Sequence, residues 1–345
     1  MKTHELRIER IVEETADARS LALEVPVALA PRFAYRAGQF LTFEVPWGGA
    51  RLLRCYSLSS CPDSEREHKV TVKRVERGRV SNWFHELREG DLLQVMPPAG
   101  RFVLRESERP LLMWGGGSGI TPLMSLIKSA LATTERSIHL LFANRDPASV
   151  IFRGELDALV ERYPQRLSVE HHLDSERGFL EAPATRVHLA GQRSAHSYIC
   201  GPTPFMDLVE SVLAEAGFGS DRIFIERFSS PQDGELPEVL SSHELTREDD
   251  VGVVPEVLVV HLDGATHQVP YKAGQSILSA VRAAGLDPPY ACEQGHCGSC
   301  AAKKIRGEVV MAVNDVFEED EVAEGHVLTC QGLPVGPVCE VRYED

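Results

Sequence analysis

The stretch Cys292-Glu293-Gln294-Gly295-His296-Cys297-Gly298-Ser299-Cys300 places three cysteines within nine residues, and Cys330 follows after a further 29. C-x4-C-x2-C with a distant fourth thiol is a ligand pattern for a 2Fe–2S cluster. The chemistry needs four thiolates in a tight fold of chain with small residues between them. Gly295 and Gly298 let the backbone wrap the inorganic core and turn N–H groups toward sulfur. Those hydrogen bonds, with solvent exposure, tune the reduction potential. Structural zinc sites usually pair two short C-x2-4-C knuckles instead. Cys292, Cys297, Cys300 and Cys330 are the expected cluster ligands, and Cys339 stands outside the pattern.

Outward from this loop the sequence is that of a small mixed domain. Val257-Leu258-Val259-Val260-His261-Leu262 reads as a strand, Asp263-Gly264 as a hairpin turn, and the return strand runs to Tyr271. A short helix is expected over 276–284, with Gly285 as its C-terminal cap. Residues 256–345 resemble a plant-type ferredoxin domain, which implies an α+β β-grasp fold. Residues 231–255, rich in Ser, Pro and acids, have little periodicity and read as an acidic, solvated linker.

The whole chain, at 345 residues, exceeds one ordinary core, and its 43% hydrophobic and 25% charged content is that of a folded protein. No apolar run approaches the roughly 20 residues of a membrane span. Met1-Lys2-Thr3-His4-Glu5 leads into strand-like sequence without a signal-peptide core, so a cytoplasmic location is expected. That compartment disfavours disulfides among the eight cysteines. Of the net charge of −15, residues 1–228 carry about −1, 229–255 about −6 and 256–345 about −8. An acidic C-terminal third argues against nucleic acid, whose binders need clustered Lys and Arg.

Ahead of the linker, residues 107–230 alternate strand and helix. Leu111-Leu112-Met113-Trp114 runs into Gly115-Gly116-Gly117-Ser118-Gly119-Ile120-Thr121-Pro122, and a helix is expected from Pro122 to about Leu131. A strand over 138–143 and a helix beginning near Phe152 continue the rhythm, which implies a parallel sheet covered by helices. The dinucleotide fingerprint G-x-G-x-x-G fails, because the register from Gly115 meets Ile120 and that from Gly117 meets Pro122. What fits is G-x-G-x-x-P, with proline at a helix start where its missing N–H costs nothing. Cys200-Gly201-Pro202-Thr203-Pro204-Phe205-Met206 is a second strand-to-helix turn. Asp146 follows the second strand, where an acid can accept bonds from an adenosine ribose and repel a 2′-phosphate. Arg145 beside it points the other way, since it could pair with that phosphate. His171 and His172 are neighbours on a strand and so face opposite sides, which reads as a strand end rather than a metal site.

Residues 1–106 read as short alternating strands, such as Phe40-Leu41-Thr42-Phe43-Glu44-Val45 and Val70-Thr71-Val72-Lys73-Arg74-Val75, suggesting a small antiparallel barrel. A helix is expected from Ser81, as N-cap, to about Leu87. Arg54-Cys55-Tyr56-Ser57 ends a strand with a guanidinium that can pair with a flavin phosphate, a ring that can lie against an isoalloxazine and a hydroxyl that can bond its edge. Gly78-Arg79-Val80-Ser81 offers N–H groups and a hydroxyl to a pyrophosphate.

Taken in order, these two strings, the glycine loop, the Cys200–Met206 turn and Glu226-Arg227-Phe228 resemble the ferredoxin–NAD(P)H reductase superfamily. With the C-terminal domain the likeness covers nearly the whole chain and is to its fused oxygenase reductases. Val72-Lys73-Arg74, Ser81-Asn82-Trp83, Ala143-Asn144-Arg145-Asp146 and Asn314-Asp315-Val316 are further shared strings. The resemblance implies Arg54, Tyr56 and Ser57 at the flavin, and Gly78, Val80 and Ser81 at its pyrophosphate. It implies Thr121 near the isoalloxazine, and Lys73 and Asp146 among the cofactor-binding residues. Gly117, Gly119, Cys200, Gly201 and Pro202 would line the nucleotide path, with Cys200 near the reacting ring carbon. Glu226 would sit at the flavin–nicotinamide junction or be an ordinary exposed carboxylate. Ser57, Cys200 and Glu226 are thus the expected catalytic set.

The implied cofactors are FAD, a 2Fe–2S cluster and NADH rather than NADPH. A hydride carries two electrons and the cluster accepts one, a mismatch that a flavin bridges. The expected activity is electron transfer from NADH through FAD and the cluster to a terminal oxygenase. The resemblance favours a Rieske-type steroid-ring monooxygenase over a diiron hydroxylase, epoxidase or desaturase as that partner. A non-catalytic iron–sulfur redox sensor is the alternative of another class, and it would not need the flavin and nucleotide loops.

Overall fold

A computed structural model describes residues 3–47, 50–189, 191–228, 254–317 and 319–343. The expected linker at 231–255 lies outside these residues except for its last two. The chain forms two compact units, divided in the sequence after Phe228.

The first unit begins with β1 (His4–Thr15), β2 (Ala18–Glu24), β3 (Phe40–Trp47), β4 (Ala50–Ser57), β5 (His68–Lys73), α1 (Arg79–Phe84) and β6 (Leu92–Val95). All the pairings are antiparallel, in the order β4-β3-β6-β1-β2-β5. A bridge between Leu58 and Val70 joins the two outer strands, so the sheet curls into the expected barrel. Period-two alternation fills it: Leu6 and Ile8, Leu21 and Leu23, Leu41, Phe43 and Val45, Val70 and Val72, Leu93 and Val95 form one buried cluster. The helix α1 starts two residues before the expected Ser81. Ser81 Oγ accepts from Val75 N–H at 3.1 Å, which stabilises the turn ahead of the helix, and Gly78 takes the N-cap position. Phe84, at the end of α1, plugs the barrel against Phe43 with ring centroids 5.1 Å apart.

The same unit continues through β7 (Leu111–Gly116), α2 (Ile120–Thr133), β8 (Ile138–Asn144), α3 (Arg153–Arg162), β9 (Leu167–Leu173), α4 (Asp174–Arg177), α5 (Ala182–His188), β10 (His196–Cys200), α6 (Thr203–Glu215) and β11 (Ile223–Glu226). These five strands are parallel, in the order β11-β10-β7-β8-β9. β7 and β10 are buried throughout, as strands covered on both faces must be. Met113, Phe142 and Tyr198 face a layer with α2, and Trp114, Leu141 and Ile199 face one with α6. α2 starts at Ile120 rather than Pro122, which leaves the proline inside the first turn, where N–H groups lack helical partners.

The second unit contains β12 (Val257–Leu262), β13 (Ala265–Pro270), α7 (Ile277–Ala283), β14 (Ala301–Met311), α8 (Glu319–Ala323), β15 (His326–Leu328) and β16 (Gly332–Tyr343). Its mixed sheet has the order β13-β12-β16-β14-β15, with β12 parallel to β16 and the other pairs antiparallel. Asp263 and Gly264 both have positive φ, at 51° and 73°, as the expected two-residue hairpin requires. Ser276 Oγ accepts from Ser279 N–H at 3.1 Å to cap α7, and Gly285 ends that helix at φ 78°. No helix among the described residues is long and apolar enough to cross a membrane.

Candidate redox sites

Cys292, Cys297 and Cys300 lie on the loop between α7 and β14, and Cys330 lies between β15 and β16. All four are buried. The Cys292 thiol is influenced most by Cys297 and the Cys300 thiol most by Cys330. The bond to Cys297, with N–H groups of Gln294, His296 and Cys297 itself, pulls the Cys292 thiol well below its ordinary range despite burial. The Gln294 N–H donates to Cys292 Sγ at 3.4 Å. Gly295 has φ 84°, and a Cβ there would stand 2.8 Å from the Val313 carbonyl oxygen, so both conformation and space demand glycine. Arg282 on α7 braces the loop through Glu293, at 3.1 Å, and its guanidinium lies 4.2 Å from the centroid of Tyr290. His296 Nδ1 meets Asp315 Oδ2 at 2.8 Å. This donor set fits a 2Fe–2S cluster. Cys339 instead faces the core of the sheet, fully buried.

In the parallel sheet the strand order reverses between β7 and β10, which is where ligands bind at the carboxyl ends of such strands. The glycine loop and the Cys200–Pro202 turn meet there. A Cβ on Gly119 would lie 2.1 Å from the Cys200 carbonyl oxygen, and one on Gly116 would lie 2.8 Å from Pro202 Cδ. Gly117 has φ 52°, and the space its Cβ would fill is 3.8 Å from Lys73 Nζ. Lys73 thus reaches from the end of β5 to the loop, 3.8 Å from Asp17. The Thr121 hydroxyl turns back to the Ser118 carbonyl at 3.0 Å. Cys200 pairs in register with Gly115 on one side and Glu226 on the other. Burial, with the Glu226 charge adding, pushes the Cys200 thiol well above its ordinary value, so it is a neutral group at pH 7. Glu226 is itself buried, which disposes of the reading that it is an ordinary exposed carboxylate.

Asp146 caps the turn after β8. Its Oδ1 accepts from Ser149 N–H at 2.9 Å and its Oδ2 from Arg145 Nε at 2.8 Å. The bond from Arg145 holds its carboxyl below the usual range. His172 Nε2 bonds to the Gly178 carbonyl at 2.8 Å, while His171 lies against Phe142.

On the barrel, β4 is bonded along one edge to β3, and among the described residues its other edge meets β5 through the Leu58–Val70 bridge. Arg54 and Tyr56 share one face of β4, and Cys55 and Ser57 the other. Tyr56 lies against Phe43 and Phe84 with centroids at 5.9 and 4.8 Å, which brings the Arg54–Ser57 string beside α1. Burial pushes the Tyr56 phenol up. Gly78 and Ser81 sit at the head of α1, and the Val80 side chain enters the barrel core, leaving its backbone N–H as what it can offer a ligand. The approach of Lys73 Nζ to the glycine loop at Gly117 has no signal in local sequence.

Fold and sites together define a nicotinamide-nucleotide-dependent flavin and iron–sulfur oxidoreductase. Family models agree: the oxidoreductase FAD-binding domain matches residues 5–104, the oxidoreductase NAD-binding domain 113–211, and the 2Fe-2S iron-sulfur cluster binding domain 260–335. The chain is 40% identical to the ferredoxin reductase component of 3-ketosteroid-9-alpha-monooxygenase of Mycolicibacterium smegmatis, over 99% of this chain and 97% of that one. It is 34% identical to one of the subunits of the 1,2-phenylacetyl-CoA epoxidase of Escherichia coli, over 96% of this chain and 95% of that one. Its fold matches that of phthalate dioxygenase reductase, described as a modular structure for electron transfer from pyridine nucleotides to [2Fe-2S], with TM-score 0.62 and 25% identity, covering 99% of this chain and 98% of that one. The chain belongs to the family of these fused flavin and iron–sulfur reductases, as its motifs led us to expect.

Proposed function

We propose that this protein delivers electrons from NADH to a terminal oxygenase, a Rieske-type steroid-ring monooxygenase. The carrying observation is the 40% identity, over nearly the full length of both chains, to the reductase component of a 3-ketosteroid-9-alpha-monooxygenase. Likeness to the epoxidase component favours a second partner class, a diiron-type hydroxylase, epoxidase or desaturase. Reconstitution with candidate oxygenases tests the choice: the true partner couples NADH oxidation to product in near one-to-one yield, and coupling to an epoxidase but not to a steroid-ring oxygenase overturns it. A cytoplasmic setting suits a chain whose eight cysteines are all free of disulfides.

Bound FAD takes the two electrons of a hydride and passes them singly to the cluster. In our reading the chain supplies the rest. Arg54 pairs with a flavin phosphate, while the ring of Tyr56 and the hydroxyl of Ser57 hold the isoalloxazine. The N–H groups of Gly78 and Val80 and the hydroxyl of Ser81 take the pyrophosphate, with Lys73 adding positive charge beside the glycine loop. Gly117, Gly119, Thr121, Gly201 and Pro202 shape the nucleotide path. Cys200, as a neutral thiol, packs against the nicotinamide without competing as a nucleophile, next to Glu226. The domain limits we assign are 1–106, 107–230 and 256–345, with 231–255 as linker.

Arg54→Ala removes a charged hydrogen bond worth about 1.5–3 kcal/mol, or roughly 10–100-fold in FAD affinity. Full flavin retention by the purified variant after long dialysis contradicts the assignment. For the nucleotide, Arg145 is tied through Nε to Asp146, which weakens its claim on a 2′-phosphate. We expect kcat/KM to favour NADH, and a tenfold preference for NADPH overturns that expectation.

A further inference from the structure

Lys128 is the single charged residue of α2, whose sequence is ITPLMSLIKSALAT, and its side chain is 6% exposed. Nothing in the proposed binding of FAD or nucleotide uses it. Its ammonium donates to Glu65 Oε1 and Oε2 at 2.8 and 3.1 Å and to Glu155 Oε1 at 3.0 Å. Lys69 Nζ approaches the other Glu155 oxygen at 3.5 Å, which completes a four-membered network of two cations and two carboxylates. Glu65 is fixed in turn by the Cys61 N–H at 2.9 Å.

The network crosses from one half of the first unit to the other. Lys128 and Glu155 belong to the nucleotide half, whereas Glu65 and Lys69 belong to the barrel. Two neighbours on the same stripe of α2 repeat the crossing. Ser125 Oγ donates to the Ser60 carbonyl at 2.6 Å and accepts from Gly38 N–H at 3.3 Å, and Ser129 Oγ donates to Asp63. Both ends of this latch lead to the redox groups. α2 is launched from the glycine loop at Gly117–Gly119, and the loop carrying Ser60, Asp63 and Glu65 continues from β4 just past Ser57.

Apolar side chains would hold two such surfaces together as well, but they would tolerate sliding. Buried, hydrogen-bonded charges fix one register, because any shift leaves a desolvated charge without its partner. Hydride transfer depends on that register, since a misplacement of about 1 Å can cost about 100-fold in rate. We infer that Lys128 is a positioning residue, whose bonds to Glu65 and Glu155 set the distance between the flavin on the barrel and the nucleotide on the glycine loop. The inference rests on the placement of FAD and nucleotide proposed above.

The test uses the holoprotein carrying Lys128→Met, which keeps the length of the side chain and removes its charge and donors. FAD content, cluster absorbance and the dissociation constant for NAD+ should stay within about twofold of the parent protein. The limiting rate of flavin bleaching at saturating NADH, followed by stopped flow, should fall about tenfold or more, and the long-wavelength nicotinamide–flavin charge-transfer band should weaken. Glu65→Gln, which keeps an acceptor but not the charge, should fall between the two and serves if Lys128→Met does not fold. A limiting rate within twofold of the parent overturns the inference. So does a rate loss explained wholly by lost flavin or weakened NAD+ binding, because Lys128 would then be a stability residue alone. Failure of the underlying placement looks different: Arg54→Ala would keep its flavin whatever Lys128→Met does.

Discussion

Cys297→Ala is expected to abolish the cluster and leave the flavin in place. In our reading Cys297 is one of the four cluster ligands, so its loss opens the site rather than weakening it. The ligands all lie in the second compact unit, while every residue assigned to FAD lies in the first. Reduction of ferricyanide by NADH, which can draw electrons from flavin, should stay within about twofold of the parent. Reduction of cytochrome c, which draws on the cluster, should fall by about two orders of magnitude. The absorbance spectrum of the variant should show flavin bands without the broad cluster contribution. Loss of flavin from this variant would contradict the division of labour between the units.

Gly119→Ala should be the most damaging single methyl in the nucleotide half. Gly119 has φ −61°, which alanine adopts freely, so the cost is one of space and not of backbone conformation. A Cβ there would stand 2.1 Å from the Cys200 carbonyl oxygen and 2.6 Å from Gly201 N. These are backbone atoms of a buried strand end and cannot swing aside, so the glycine loop and the Cys200–Pro202 turn must separate. Overpacking of this kind costs about 3 kcal/mol, and the displaced loop should cut NADH-driven turnover about 100-fold. Gly117→Ala gives the contrast. Its φ of 52° penalises alanine by about 1–2 kcal/mol, but the nearest atom to a new Cβ is the mobile Lys73 Nζ, at 3.8 Å. Turnover by Gly119→Ala exceeding that by Gly117→Ala would show that the two turns do not need to touch.

Much of this architecture was legible because the chemistry imposes local patterns. Three cysteines in one loop, glycines where a strand becomes a helix, and period-two alternation in the barrel are each written in consecutive residues. The hairpin at Asp263-Gly264 and the glycine that ends α7 were readable for the same reason. What could not be read depends on contacts between distant segments. Ser81 looked like an N-cap, but its hydroxyl accepts from the Val75 N–H, and Gly78 takes the N-cap position instead. The fit of Gly119 against Cys200 links two turns some eighty residues apart, and only the fold shows that the glycine is a matter of space. Glu226 could not be sorted between buried and exposed until its register against Cys200 was known. The bonds of Lys128 could not be read because its partners Glu65 and Glu155 lie 63 and 27 residues away.

One chain carries the domains for a two-electron centre and a one-electron centre. Anaerobic titration with dithionite, followed by absorbance and electron paramagnetic resonance, tests that arrangement most directly. Three electrons per chain are expected, about 1.5 equivalents of a two-electron donor, with one reduced-cluster signal per chain that NADH also elicits. An end point at two electrons per chain without a cluster signal, or a cluster that NADH leaves oxidised, would contradict it.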